Sequence, residues 1–326
     1  DGETLAQFET LFGLDRESLG KTLNSLRATL EADTDGKVSL ADSIWFRDHE
    51  FTVNRDFLEK NSELYGADIF EAPFDATTLR GINSWVKEKT DGMITDILNE
   101  IPEEAVMYLV NALAFDCKWE ERYKSVDVRT ADFTEADGGT AKVELMYSAE
   151  NDYLTGDGFS GFVKYYKGRN YGFAAILPDE GKTTGDILDS LDGSKLHQLL
   201  ANPVTDGVVH ASLPKFEAEF ETEMSEALIS MGLTDAFDSD KAVFKGLGES
   251  PYGNIYINRV LHKTFIEVAE KGTRAGAATA VEMVDECALV VAKEYFVTLD
   301  RPFIYIIFET TDQTPLFIGT LETIDK

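Results

Sequence analysis

The stretch Glu267-Val-Ala-Glu-Lys-Gly-Thr-Arg-Ala-Gly-Ala-Ala-Thr-Ala-Val281 decides how this 326-residue chain is interpreted. An apolar, strand-like segment leads into it, and after the glycine nearly every residue is small. Side chains of a strand alternate between two faces. As a strand, the stretch places one set of small side chains on a single face: Thr273, Ala275, Ala277 and Thr279. It carries too little apolar surface to drive its own burial. The segment can therefore pair as a strand in a sheet and can also remain outside the sheet, which is the property of a conformational switch.

Two plainer interpretations of the same residues remain open at this point. Alanine is the best helix former, so Ala275 to Ala280 can form a short helix. Runs of small residues are also common in flexible linkers. The segment alone does not decide among switch, helix and linker.

The composition indicates a globular protein that avoids polyanions. Hydrophobic residues make up 43% of the chain and aromatic residues 11%, which is ample material for a core. The net charge of −30 repels nucleic acids and anionic membranes and favours basic partners. No apolar run approaches the roughly 18 residues of a membrane-spanning helix. We therefore expect no nucleic-acid or membrane partner.

The order of predicted elements favours a single α+β domain over residues 1–326. Helical spacing runs from Leu19 to Leu30, and again from Ile82 to Leu98 with a break near Asp91-Gly92. A long, nearly apolar stretch from Val106 to Trp119 predicts a buried strand, and strands are predicted from Ile255 to Glu270. No internal repeat or linker rich in proline and serine divides the chain.

The sequence contains no motif that argues for catalysis or for a metal. The GxGxxG match from Gly156 to Gly161 is followed by a strand pattern, so it predicts a turn and not a dinucleotide site. No HExxH, GxSxG or phosphate-binding loop is present. We expect no enzymatic activity, no cofactor and no metal. His262 is expected to be a hydrogen-bonded histidine in a buried strand, and Cys117 and Cys287 are expected to be free thiols.

Several separated motifs, in the right order, resemble the serpin family. The opening stretch is similar to the serpin hinge, and Val297 to Ile307 followed by Phe317-Ile-Gly319 is similar to the C-terminal signature of the family. Asn111 to Trp119 is similar to the central strand beneath the hinge. Leu213-Pro-Lys-Phe216 and Asn83-Ser-Trp-Val86 match two further family motifs. The resemblance runs from about Leu5 to the C-terminus and is of the bacterial type.

The resemblance implies an α+β fold with three β-sheets, surrounding helices and an exposed reactive-centre loop within residues 272–299. The implied hinge residues are Glu270, Gly272, Thr273, Ala275, Gly276, Ala277 and Ala278. Asn111, His262 and Trp119 match the shutter and breach positions, which lie beneath the main sheet and at its upper end. Serpins begin with two further helices that have no counterpart in this sequence, so we expect an open apolar underside of the main sheet.

The resemblance also implies a suicide-substrate inhibitor of serine proteases, in which cleavage of the loop lets the hinge insert as a new strand. Counting from Glu270 as in the family places the bait bond at Glu286-Cys287. Its neighbours leave the target open, because Val284 suits an elastase-like protease and Asp285 or Glu286 an acid-specific one. We expect a monomer that is extracellular or at the cell surface. A non-inhibitory binding or chaperone-like serpin is the alternative.

Overall fold

The computed structural model describes residues 2–32, 36–103, 105–251, 253–273 and 293–324. The α-helices in these ranges are α1 Gly2–Phe12, α2 Arg16–Ala32, α3 Arg55–Tyr65, α4 Ala76–Lys89, α5 Thr184–Ser190, α6 Gly193–Ala201 and α7 Ser225–Ser230. The strands are β1 Lys37–Arg47, β2 Thr52–Val53, β3 Asp68–Ala72, β4 Met107–Lys118, β5 Val128–Thr134, β6 Thr140–Glu150, β7 Asp152–Gly156, β8 Phe159–Tyr165, β9 Tyr171–Pro178, β10 Gly207–Pro214, β11 Phe216–Glu223, β12 Gly248–Glu249, β13 Leu261–Ala269, β14 Gly272–Thr273, β15 Lys293–Thr298, β16 Phe303–Glu309 and β17 Thr314–Leu321.

The strands of the described ranges form three larger sheets and one short ladder. The six-stranded sheet has the order β11-β13-β14-β4-β1-β3, the five-stranded sheet β17-β16-β9-β8-β7, and the four-stranded sheet β15-β10-β6-β5. Strands β12 and β2 pair separately. With helices beside these sheets, the expected α+β fold is confirmed. No helix within the described ranges is long and apolar enough to cross a bilayer.

The described chain divides into two compact units, and the first comprises Asp1–Phe115 with Glu219–Phe265. Its core is an apolar layer in which α4 and the segment after it pack on the sheet strands. The members include Ile82, Trp85, Val86, Ile94 and Leu98 from the helical side, and Trp45, Val110, Ala112, Leu261 and Phe265 from the strands. This packing fixes the covering segment 93–101 over β4 and β13.

Helix α4 ends at the break that the sequence predicted near Asp91-Gly92, and no helix follows it between residues 93 and 98. It begins after Asp75, whose carboxylate accepts from the backbone N–H groups of Thr77 and Thr78, and it ends at Lys89. Asp91 and Gly92 follow with φ angles of 50° and 77°, which a helix cannot contain. The apolar residues beyond them keep helical spacing only by coincidence, because the side chain of Asn83 binds the backbone of residues 97 and 98 in a non-helical path.

The second unit comprises Asp116–Ala218 with Ile266–Lys326. Every residue of β9 and of β16 is buried, since these strands are central in the five-stranded sheet and are covered on both faces. One face packs against α5 and α6 through a cluster that includes Ile176, Ile187, Leu200 and Ile306. Trp119, the residue after β4, forms an isolated β-bridge with Tyr166, the residue after β8, so this sheet contacts the end of β4 beside the candidate site.

Strand β13 departs from the expectation at its beginning. The pattern predicted a strand from Ile255, but β13 begins at Leu261. The expectation that His262 is buried is wrong, because its side chain is exposed. Ile266 and Val268, on the same alternate face, are buried, so that face is covered at the end of the strand and open at its beginning. Strand β4 shows the same gradient, from buried Cys117 to Leu109, which is 63% exposed.

Candidate functional site

The candidate site is the two-residue strand β14, which lies between β13 and β4 in the six-stranded sheet. Gly272 pairs with Ala269 on one side and with Lys118 on the other. Thr273 pairs with Val268 and with Cys117, and both ladders are antiparallel. The first two residues after the Glu270-Lys271 turn are therefore already part of the sheet, with a strand on each side.

Gly272 is at a position that only glycine fits. Its φ angle is +154°, in the region that side-chain-bearing residues rarely adopt. A Cβ atom at this position would lie 2.1 Å from the Cys117 carbonyl oxygen and 2.7 Å from Cα of Lys118. Both of these atoms are backbone, so a side chain would force β14 away from β4.

Thr273 enters the interior and is bound there by a tyrosine. Its exposed fraction is 2%, and its Oγ1 lies 2.6 Å from the hydroxyl of Tyr166. Burial raises the pKa of Tyr166 well above its ordinary value, so the phenol stays protonated and able to share this bond. A hydrogen-bonded hydroxyl is thus compatible with a position that excludes water.

Trp119 and Tyr123 hold the turn that precedes β14. Trp119 donates from its indole Nε1 to the Ala269 carbonyl (2.8 Å) and from its backbone N–H to the Lys271 carbonyl (3.0 Å). The backbone N–H of Tyr123 donates to the Glu270 carbonyl (3.0 Å). Trp119 also stacks on Tyr166 at a centroid distance of 4.4 Å. The same segment therefore supports the turn and the tyrosine that binds Thr273.

Glu270 is held by a lysine that also binds a second carboxylate. Nζ of Lys215 lies 3.0 Å from Glu270 and 2.8 Å from Glu144. Burial raises the pKa of Glu270, but a backbone N–H and Lys215 lower it by more, so the pKa lies below its usual value. The hydrogen bond to Glu144, with the one to Glu270, raises the pKa of Lys215. Both groups stay charged near neutral pH.

The other predicted site residues lie apart from β14 or outside the described residues. Asn111 is exposed on β4 and its amide donates to Asp42 (3.0 Å), and His262 is exposed on β13. The predicted hinge residues Ala275, Gly276, Ala277 and Ala278 and the bait-bond residues Val284, Asp285, Glu286 and Cys287 fall outside the described residues. The region 272–299 that the sequence assigned to the loop contains β14 at its start and β15 near its end.

Sequence reasoning missed Tyr166 and the ion pair of Lys215. Lys215 stands in a motif that contributed to the resemblance, but nothing near it indicates a bond to a residue 55 positions away. Tyr166 is 107 positions from Thr273, and no spacing rule connects them. Among the described residues, no group of three or more histidine, cysteine or acidic side chains is arranged to hold a metal ion.

Comparison with known proteins places this geometry in a family. Residues 1–324 match the family model described as Serpin (serine protease inhibitor). A serpin-like protein of Thermococcus kodakarensis is 31% identical over 83% of this chain and 63% of its own length. Leukocyte elastase inhibitor A of Rattus norvegicus is 29% identical over 98% of this chain and 86% of its own length. The chain thus spans less than two thirds of the first relative.

A solved structure agrees with the sequence match over the whole fold. The crystal structure of tengpin, a thermophilic serpin, in its native state has a TM-score of 0.92 and 44% identity. It covers 99% of this chain, which in turn covers 84% of that one. The family match over nearly all residues and this structural agreement lead to one conclusion: the chain belongs to the serpin family of serine protease inhibitors.

Proposed function

We propose that this protein is a suicide-substrate inhibitor of serine proteases that acts by loop cleavage followed by insertion of the hinge as a new strand. The observation that carries the proposal is the position of β14 between β13 and β4. Gly272 and Thr273 pair with both neighbouring strands, and the Thr273 side chain is buried, as insertion that begins at these residues would require. The protease supplies the chemistry, and this chain supplies the conformational energy.

Continuing the two observed registers gives the partners of an extended β14. Each step of two residues along β14 moves two residues back along β13 and β4. In the cleaved chain, position 275 would then lie opposite Phe115 and Ile266, and position 277 opposite Leu113 and Thr264, if the registers of Gly272 and Thr273 continue. Position 279 reaches Asn111 and His262, the two exposed residues that the sequence assigned to the shutter. The exposed pair would then flank the inserted strand, and the strand could continue as far as position 283, opposite Met107 at the start of β4.

The energy of insertion comes from new ladder hydrogen bonds and from burial of small side chains. Each ladder hydrogen bond contributes on the order of 1 kcal/mol net, so a strand of about a dozen residues gains roughly 10 kcal/mol. Alanine and threonine suit this path, because packed interiors tolerate little added volume. Loop insertion of this kind is an established example of strand addition in serpins.

We place the bait bond at Glu286-Cys287, by the family count from Glu270. The name of the rat relative, an elastase inhibitor, supports an elastase-like target, which Val284 would suit. Asp285 and Glu286 suit an acid-specific protease. We place the encounter outside the cell or at its surface, which cell fractionation would check. Sequencing the C-terminal peptide released by each of a panel of proteases identifies the bond.

The decisive experiment asks whether a covalent complex forms. Incubation with serine proteases is expected to give a protease-sized band shift that survives SDS. Thr273→Arg would place a charge in the 2%-exposed site, so the variant is expected to be cleaved without forming complexes. Thr155→Arg, at an exposed position of β7, is the matched control and should inhibit normally. Cleavage of the unmodified chain without any stable complex would refute inhibition and favour the non-inhibitory alternative.

A further inference from the structure

A lysine ammonium group is buried inside the second unit, beneath the candidate site. Lys164 on β8 is 2% exposed, and its Nζ lies 2.8 Å from a carboxylate oxygen of Glu150 at the end of β6. The two side chains are only 3% and 13% exposed. Removing two charges from water is costly, and a buried ion pair is weak evidence for a stabilising role. Its position therefore requires a further explanation.

The ammonium group also contacts two aromatic rings. It lies 4.5 Å from the ring centroid of Tyr123 and 5.7 Å from that of Trp119. A cation within about 6 Å of a ring face is attracted by its π-electrons, and more strongly where water is excluded. Phe173, which pairs with Lys164 across β8 and β9, meets Trp119 edge to face at 5.8 Å. Trp119 is thus in contact with a cation and with the ring of Phe173.

The two rings that face this cation belong to the residues that hold the hinge turn. Trp119 binds the carbonyls of Ala269 and Lys271, and Tyr123 binds the carbonyl of Glu270. Trp119 also stacks against Tyr166, whose hydroxyl forms a hydrogen bond with Thr273. A change in the orientation of Trp119 would therefore affect β14 through the hydrogen bonds to the turn and through the contact with Tyr166.

We propose that Lys164 is a positioning residue for the hinge. Its ammonium, neutralised by Glu150, fixes the rings of Trp119 and Tyr123 in the orientation that grips the Glu270-Lys271 turn and supports Thr273 in the sheet. The consequence for inhibition rests on the proposed function, because a loosened turn changes how readily the hinge begins to insert. The effect on the turn itself does not depend on it.

The test compares Lys164→Met with Glu150→Gln and with the unmodified chain. Methionine keeps most of the volume without the charge, and Glu150→Gln keeps the shape while removing the counter-charge that holds the ammonium in place. Lys142→Met is the control, because Lys142 is 69% exposed in an ion pair with Asp132 on the surface. The measurement is amide hydrogen exchange of the whole chain without any protease.

Both variants are expected to lose protection by roughly tenfold, the scale of a desolvated cation–π contact, at the backbone amides of Trp119 and Tyr123. The amide of Ile306, in the central strand β16 of the same unit, should change much less, and Lys142→Met should change none of the three. An equal loss at all three amides would reduce Lys164 to a general stabilising role, and unchanged protection at Trp119 and Tyr123 would also overturn the proposal.

The two proposals fail separately. If the unmodified chain forms no SDS-stable complex with any protease, the inhibitory function fails, while the exchange result still judges the role of Lys164. If the complexes form and Lys164→Met shows wild-type exchange at the turn, the positioning role alone fails. With both upheld, Lys164→Met is also expected to change the number of chains consumed per protease inhibited.

Discussion

Replacement of Gly272 by alanine is expected to expel β14 from the sheet while the rest of the chain stays folded. The new Cβ would lie 2.1 Å from the Cys117 carbonyl oxygen, well inside van der Waals contact. To accommodate it, the backbones of β14 and β4 must separate by roughly 1 Å or more, which breaks ladder hydrogen bonds of ordinary length. Among the described residues, Gly272 and Thr273 are the only pairs that β14 makes, so no further described pair holds it.

The magnitude follows from two terms. An alanine with this φ angle costs about 1–3 kcal/mol in backbone strain, and each lost ladder hydrogen bond costs about 1 kcal/mol. A total near 3 kcal/mol lowers the population of the paired hinge roughly a hundredfold relative to the released hinge. The global melting temperature should fall little, since the strain is relieved by local release.

Two measurements check this prediction. Amide hydrogen exchange at Thr273 and Val268 should become much faster in Gly272→Ala, and the variant should be cleaved as a substrate more often than it inhibits. Gly193→Ala is the control, because Gly193 begins α6 with nothing within 4 Å of its added Cβ. Wild-type exchange protection at Thr273 in Gly272→Ala would refute the steric argument.

Two further predictions concern charged groups. The ion pair between Glu270 and Lys215 should weaken as the pH falls below about 4.5, the ordinary pKa of the carboxyl. A lowered pKa gives stability that is present above that value and is lost as the group is protonated. The ratio of the exchange rates at the Tyr123 and Ile306 amides measures this, and a ratio that stays constant from pH 7 to 3 would contradict the prediction. Lys263→Met should lower the free energy of unfolding by about 1 kcal/mol, because Nζ of Lys263 lies within 3.2 Å of three carboxylates. In 1 M salt the variant should recover part of this loss, because salt screens the repulsion among the carboxylates. Urea titrations measure both effects beside the exposed control Lys60→Met, and equal stability of the two variants would contradict the prediction.

The sequence predicts those parts of the fold that local pattern determines. The nearly apolar run of β4, interrupted by Asn111, predicted a strand that is buried over part of its length, with Leu109 and Asn111 exposed. The prediction that the small residues after Gly272 can enter a sheet agrees with the position of Thr273, and it stays a prediction for residues 274–281, which lie outside the described residues. The break predicted near Asp91-Gly92 is where α4 ends, after Lys89. The helical structure expected between that break and Leu98 is absent from these described residues, because apolar spacing alone does not fix the backbone path. Burial of His262 was expected from the apolar residues beside it in the sequence. The side chain is exposed, because this face of β13 is covered near Ile266 and Val268 and not at the beginning of the strand.

The site was only partly accessible from the sequence because its contacts join distant positions. The turn and Thr273 were identified from their own residues, but Tyr166, Lys215 and Lys164 act across 55 to 107 positions or through other side chains. In a strand with an alternating pattern, a lysine predicts a position that faces solvent, whereas Lys164 is buried. Only the fold shows that the Lys164 ammonium forms an ion pair with Glu150 and contacts the rings of Trp119 and Tyr123.

The most direct test of the account is the heat resistance of the chain after its loop is cut. A sample nicked within residues 284–287, with both fragments retained, is compared with intact chain by calorimetry. Insertion of the hinge is expected to raise the melting temperature by roughly 10 °C or more, the scale of about ten new ladder hydrogen bonds, with new exchange protection at residues 275–279. An unchanged melting temperature, with no gain in exchange protection at those residues, would contradict the account.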